Sequence, residues 1–390
     1  MTKPTHTNPR GQWTALTLFL LLVCSSFTPT YGQEPKLTYK KYVDGPYLFF
    51  EENNQIRSIT HTPEGGVVDE RLQLWQGDTF CFPVYSPHGE YLFEVPLRPD
   101  ISRPEAQLKQ AKRVFITSDP HGDWESFADL LQRNGIVDEH YRWAYGDNQL
   151  VVIGDIFDRG VGVLPIFWLM YKLEQEAQEA GGAALFMLGN HEPMVLGGDL
   201  RYVKQPYLIE AKEVGMPYDE LFGPTSVLGD WLYTRNTMQL IGDKLFVHAG
   251  ISKELIAKGY TLDQVNAGIS EGLFYHKSYR KKQSENLKFL YGNKGPIWYR
   301  GMVRHQEKYH PIDAGGVDEV LAYFGASRIF VGHTIFEEVA SFFGGQVIAV
   351  NVKNAKNREA KRSRAVLLEG DQVYVVKDTG LEPMELDEAQ

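Results

Sequence analysis

The chain has 390 residues, 43% of them hydrophobic and 23% charged. That length and mix exclude a disordered or collagen-like chain and leave room for two or three domains, or for one large domain with an extension. The formal charge of -10 argues against a general binder of nucleic acid or anionic membrane, but is compatible with a local cationic or metal-filled pocket for phosphate.

Lys3 and Arg10 precede the apolar run Ala15–Val23, and small and polar residues follow as far as Thr30-Tyr31-Gly32. This is the layout of a cleavable secretory signal peptide over residues 1–32, with cleavage expected near Gly32 and no stable membrane insertion afterwards. The apolar run is short for a membrane span. A membrane anchor is the competing reading. A lipoprotein using Cys24 is another, weakened by Val23 where a small residue is wanted. Cleavage removes Lys3, Arg10 and no acid, so the mature chain is two charges more negative and keeps Cys81 as its single cysteine. One cysteine closes no internal disulfide. Phe80-Cys81-Phe82 predicts a buried core thiol.

Residues 33–103 read as a small β-rich extension. Tyr47–Phe50, Gln55–Ile59 and Tyr91–Val95 are predicted strands, while Asp44-Gly45-Pro46, Glu64-Gly65-Gly66 and Ser86-Pro87-His88-Gly89 read as turns. From residue 104 to 390 the pattern changes. Strand Val114–Thr117, a helix over about Trp124–Asn134, strand Leu150–Ile153, a helix over about Val163–Ala180 stopped by Gly181-Gly182, and strand Ala184–Leu188 predict a layered α/β core. Residues 197–235 read as a helical insertion and 252–312 as a polar, aromatic stretch. Strands Leu245–Val247, Arg328–Val331, Gln346–Val350, Ala365–Leu368 and Gln372–Val376 complete the sheets, and the basic run Lys353–Arg364 reads as a solvated hairpin or loop.

Five of these strands end in clusters of metal-binding residue types. In order they are Ser118-Asp119-Pro120-His121-Gly122-Asp123, Gly154-Asp155-Ile156-Phe157-Asp158-Arg159-Gly160, Gly189-Asn190-His191-Glu192, His248-Ala249-Gly250 and Gly332-His333-Thr334. Ligands of layered α/β proteins bind beyond the carboxyl ends of strands, so all five converge on one rim. Asp, His and Asn without Cys suit Mn, Fe or Zn. Asp-x-His alone carries almost no information, and a lone His is usually a core residue. Five such motifs in this order are not expected by chance.

This ordered set resembles the calcineurin-like metallophosphoesterases, more narrowly the phosphoprotein phosphatases. The wording of Gly154–Gly160 and of Gly295-Pro296-Ile297-Trp298-Tyr299-Arg300-Gly301 is most similar to the bacterial-type Shewanella-like branch. Ser118 stands where a Gly is usual, and Ala249 where a Gly is frequent. The resemblance covers about residues 110–355 and implies a four-layer α/β/β/α sandwich with an N-terminal β extension. It further implies two metal ions, the first on Asp119 and His121, the second on Asn190, His248 and His333, with Asp155 bridging both. Hydroxide shared by the metals would attack phosphorus in line, without a phosphoenzyme. His191 would be the general acid, oriented and charged by Asp158; a helix N-cap is the competing reading of Asp158. Arg159 would clamp the phosphate, with Arg300 a weaker second clamp and Arg235 weaker still. His61, His88, His140, His305 and His310 lack such context and read as surface or loop residues. The function implied is an exported protein phosphatase for phosphoserine, phosphothreonine or phosphotyrosine, with no nucleic-acid partner. A diadenosine tetraphosphate or other nucleotide phosphohydrolase is the first alternative, and a metal-stabilised binding module without turnover the second.

Overall fold

The computed structural model describes residues 42–62, 66–74, 79–98 and 100–385, so the expected signal segment lies outside the described residues. Strands β1 (Asp44–Glu51), β2 (Gln55–His61) and β3 (Val67–Gln73) form an antiparallel meander, and β4 (Cys81–Tyr85) and β5 (Tyr91–Pro96) form a hairpin. The chain continues through β6 (Gln107–Leu108), β7 (Arg113–Thr117), α1 (Trp124–Arg133), β8 (Gln149–Val152), α2 (Val163–Glu179), β9 (Ala183–Phe186) and the short α3 (His191–Leu196). Helices Gln205–Val214 and Val227–Tyr233 lead to β10 (Met238–Ile241) and β11 (Lys244–Val247). A helical stretch then precedes β12 (Arg328–Val331), β13 (Ala340–Phe342), β14 (Val347–Ala349), β15 (Ala365–Glu369), β16 (Gln372–Lys377) and β17 (Gly380–Pro383).

Two six-stranded sheets result, ordered β13-β14-β12-β11-β10-β6 and β17-β16-β15-β7-β8-β9. Alternation decides which residues face which layer. Val114, Ile116, Val151 and Ile153 meet Phe246, Phe330 and Ile348 in the core between the sheets, where the Phe246 and Phe330 rings stack at 5.0 Å. Their neighbours Phe115, Leu150 and Val152 point the other way, into the core shared with α1 and α2. This is the expected α/β/β/α sandwich. Parallel pairing of β7 with β8, β8 with β9, and β11 with β12 brings the carboxyl ends of those strands to one rim of each sheet.

The N-terminal strands share this core. Leu48, Ile56, Phe82 and Val84 belong to the same buried cluster as α2. Phe82 packs edge-on to Trp168 at 4.7 Å, and Trp168 Nε1 donates to the Pro46 carbonyl at 3.1 Å. Covered on both sides, α2 is buried at every residue from Val163 to Leu173, which is why its apolar residues run around the helix.

Four local expectations are corrected. Cys81 is exposed, because Phe82 and Val84 take the inward positions of β4 and leave it on the outer face. Asp44-Gly45-Pro46 lies inside β1, at an irregularity in its pairing with β2. The basic run is not a plain solvated loop: it forms helix Asn354–Ala360, and Arg364 is buried, donating to Asp129 at 2.8 Å and Asp378 at 2.7 Å. His61 is buried, not superficial, with Nε2 3.5 Å from Glu213. No helix among the described residues is long and apolar enough to cross a membrane.

Candidate active site

The loops after β7, β8, β9, β11 and β12 meet, and the turns they make are unusual. Asp119, His121, Asp155, Asp158, Arg159 and His333 all take positive φ, between 44° and 73°. Side chains disfavour this region, and such conformations persist where the surroundings fix them. The loops are also close enough to need glycine. A Cβ on Gly154 would sit 2.6 Å from His248 Nδ1 and 2.7 Å from the Gly189 backbone.

Asp155 lies at the centre. Its Oδ1 accepts the His191 backbone N–H at 2.8 Å, and its Oδ2 is 3.2 Å from His248 Nε2 and 3.8 Å from His121 Nε2. Two sets of potential ligand atoms, His121-Asp155-His191 and Asp155-His248-His333, each fit within 4.8 Å, and Asp155 is the member they share. Asp119 joins from the other side, with Oδ2 3.8 Å from His121 Nε2. Asn190 Oδ1 lies 3.1 Å from His248 Nε2, while its Nδ2 donates to Met194 Sδ at 3.5 Å, which turns the amide oxygen inward.

The chemistry of these donors fits cations. His121 Nδ1 and His248 Nδ1 lie 2.8 and 2.9 Å from the carbonyls of Phe157 and Ile153. The proton therefore belongs on Nδ1, and the Nε2 lone pair is left to face the cluster. Burial lowers His121 to about 3 and His333 well below the usual imidazole range, so both are neutral. The Nε2 atoms of His121 and His333 are buried without a hydrogen-bond partner. His248 differs. Burial opposes its charge, but Asp155 and Asp119 outweigh it and lift the group to about 9, so its Nε2 is a proton site for which a cation competes.

Beside this cluster, His191 Nδ1 hydrogen-bonds Asp158 Oδ2. Burial works against charge on His191, yet Asp155 and Asp158 together raise its pKa. Burial raises Asp158 too. The pair shares one proton, and Asp155, 3.9 Å from His191 Nε2, favours placing it on the imidazole. Asp158 does not cap α2, whose N-cap is Gly162. Arg159 Nη2 approaches His191 Nε2 at 3.3 Å. The guanidinium N–H is thus directed at Nε2, which places Arg159 and His191 side by side at the edge of the cluster. Arg300 is half-buried and donates to Thr334 Oγ1 at 2.9 Å, beside His333. Arg235 is elsewhere. It is buried against Glu174 at 2.5 Å and donates to the Ser102 carbonyl at 2.8 Å, so it is a structural ion-pair partner.

Sequence reasoning missed the residues that hold these loops. The buried Glu192 carboxylate accepts from the backbone N–H groups of Asp155 (3.1 Å), Ile156 (2.9 Å), Phe157 (3.4 Å) and Gly189 (2.7 Å). It thereby ties the β8 loop to the β9 loop. Asn351 donates to Asp119 Oδ2 at 2.7 Å, and Ser118 Oγ donates to Asp119 Oδ1. The unusual Ser118 thus braces a candidate ligand. Asn351 follows β14 as the other site residues follow their strands, and that position was the available signal.

Residues 112–336 match the family model of the calcineurin-like phosphoesterases. The chain is 27% identical over 274 residues to Shewanella-like protein phosphatase 2 of Arabidopsis thaliana, covering 59% of this chain and 68% of that one. It is 24% identical over 230 residues to Shewanella-like protein phosphatase 1 of Plasmodium berghei (strain Anka), covering 58% and 62%. Its fold is similar to the crystal structure of a cold-active protein-tyrosine phosphatase of a psychrophilic Shewanella species, with TM-score 0.78, 33% identity, and coverage of 88% of this chain and 99% of that one.

Proposed function

This chain belongs to the calcineurin-like phosphoesterase family, and we propose that within it the protein is a two-metal protein phosphatase, acting first on phosphotyrosine and second on phosphoserine or phosphothreonine. The observation that carries the reading is the convergence of Asp119, His121, Asn190, His248 and His333 on Asp155, with the His191–Asp158 pair alongside. The order of substrates follows the solved relative named a protein-tyrosine phosphatase. Mn, Fe or Zn suits the donor set. Held by these six residues, two such ions would supply Lewis acidity to the phosphoryl oxygens and lower the pKa of water.

The chain's own groups do the rest. Arg159 and Arg300 hold the phosphoryl oxygens, with planar forks that can each present two donors. Water supplies the new oxygen on phosphorus as the bond to the substrate oxygen breaks. That departing oxygen takes the Nε2 proton of His191, and Asp158 keeps the imidazole in the orientation that delivers it. A phenol or alcohol and inorganic phosphate leave.

The test is turnover by the purified protein, with Mn, Fe or Zn added singly, on phosphotyrosine, phosphoserine and phosphothreonine peptides and on dinucleoside polyphosphates. Metal-dependent release of phosphate from the peptides supports the reading, and turnover of the dinucleotides alone contradicts it. Export is a further part of the proposal, supported by residues 1–32. Mass spectrometry should find a chain beginning near Gln33 in the secreted or periplasmic fraction, and an intact Met1 in the cytoplasm contradicts it.

A further inference from the structure

We propose that the wide cleft beside the metal-binding residues is a groove for the acidic flank of a phosphopeptide, so that the enzyme prefers phosphoresidues followed or preceded by Asp and Glu. This inference rests on the protein-phosphatase reading above and deepens it.

The cleft holds about 740 Å³ and is lined by Arg201, Lys277, Arg280, Lys288, Arg300 and Lys308, against a single acid, Asp199. The bias runs against the whole chain, which has 50 acidic and 40 basic residues. Asp199 offsets Arg201 (Nη2 at 2.6 Å) and Lys277 (Nζ at 3.3 Å), and Lys288 pairs with Glu285 at 3.2 Å, so the uncompensated bases are Arg280, Arg300 and Lys308. Arg280 is buried in the wall. It donates to the carbonyls of Gly272 (2.8 Å) and Pro193 (3.0 Å), lies 4.0 Å over the Tyr291 ring, and pairs with no carboxylate among the described residues. A buried cation without a counter-ion is costly unless an anion approaches it. Arg300 and Lys308 likewise make no ion pair among the described residues; one donates to Thr334 and the other packs over Tyr309.

Two lining residues of the cleft touch residues of the site. Met194 accepts from Asn190, and the Trp298 ring stands perpendicular to the His333 ring at 5.6 Å. A second cleft of about 440 Å³, opening at Asp119 and His121, is mixed in charge, with Arg159, Lys353 and Lys356 offset by Asp123 and Glu125. A peptide whose phosphate reaches the metal-binding residues therefore meets the larger excess of positive lining charge on one side, six bases against one acid compared with three against two besides Asp119. Clefts lined by one sign of charge raise the local concentration of the opposite sign.

The experiment measures kcat/KM of the metal-loaded full chain on phosphotyrosine peptides with three Asp residues on one side, three on the other, or neutral flanks, and on nitrophenyl phosphate. We expect one acidic peptide to exceed the neutral one by about 10-fold, mostly through KM, as a few partly exposed ion pairs would give. Raising salt from about 0.05 to 0.5 M should shrink that ratio severalfold. The double variant Lys277→Gln/Lys308→Gln, at two exposed positions, should bring it towards one. Equal kcat/KM for acidic and neutral peptides, with nitrophenyl phosphate still turned over, overturns the groove and leaves the phosphatase reading intact. A ratio indifferent to both salt and the double variant also overturns it. Absence of turnover on every substrate contradicts the phosphatase reading and the groove with it. A dinucleoside polyphosphate preferred over every peptide overturns the groove in favour of a nucleotide site.

Discussion

Replacing Glu192 by Gln keeps the size of the side chain and removes one acceptor. Glu192 Oε2 accepts from Asp155 N and Gly189 N, while Oε1 accepts from Ile156 N and Phe157 N. An amide offers one oxygen and one NH2, so in either orientation two backbone N–H groups face a donor. A buried donor left without a partner costs about 1–3 kcal/mol, so Glu192→Gln should lose roughly 2–6 kcal/mol. Glu192→Ala abandons all four donors and opens a cavity, and should lose more. Urea denaturation with linear extrapolation reads this directly. Because the bonded groups include Asp155 and the residue before Asn190, metal affinity should fall as well, by about 10–100-fold, as when a group that orients a ligand is removed. If Glu192→Gln kept wild-type stability within about 0.5 kcal/mol and full metal content, the carboxylate would not be holding the two loops together.

His191→Ala should leave the metals bound and cost about 10²–10⁴-fold in kcat on a phosphoserine peptide, with a much smaller loss on nitrophenyl phosphate, whose leaving group needs no proton. Asp158→Asn should show the same ordering with a smaller loss, and an equal loss on both substrates would show that His191 is not the donor. Asp44 is buried, accepts a hydrogen bond from Tyr47, and is raised by burial to about 7. The stability its protonated form contributes is present below about 4, the ordinary aspartate value, and is lost as pH rises through about 7. Asp44→Asn should therefore gain on the wild type between pH 4 and 8 by at least about 1 kcal/mol, and parallel stability curves would contradict this.

Much of the site was legible because its chemistry sits at strand ends, and strand ends announce themselves by an apolar run stopping at Gly, Asp or His. The motifs that carry Asp119, His121, Asp155, Asn190, His248 and His333 stood out in that way, while their assignment as metal ligands came from the family resemblance. The bracing residues were harder, because their role is set by distant backbone. Nothing local to Glu192 shows that four N–H groups from two loops close on it. Asn351 looked like the end of an ordinary strand until its amide was seen on Asp119. Facing errors have a simpler origin. Cys81 sits one residue from Phe82 and His61 two residues from Ile59, so alternation from those inward side chains puts the first outside and the second inside. Arg364 was hidden by its basic neighbours; its burial depends on Asp129 and Asp378, far apart in sequence.

On the two-metal reading, the Asp155 carboxylate organises both cation positions. Its most direct test is Asp155→Asn, with metal per chain measured by mass spectrometry and kcat measured on nitrophenyl phosphate at saturating Mn. The variant should fold, fail to retain either ion and lose at least about 10²-fold in turnover, the upper range for disturbing even an indirect ligand partner. Two retained ions per chain with wild-type kcat would contradict it.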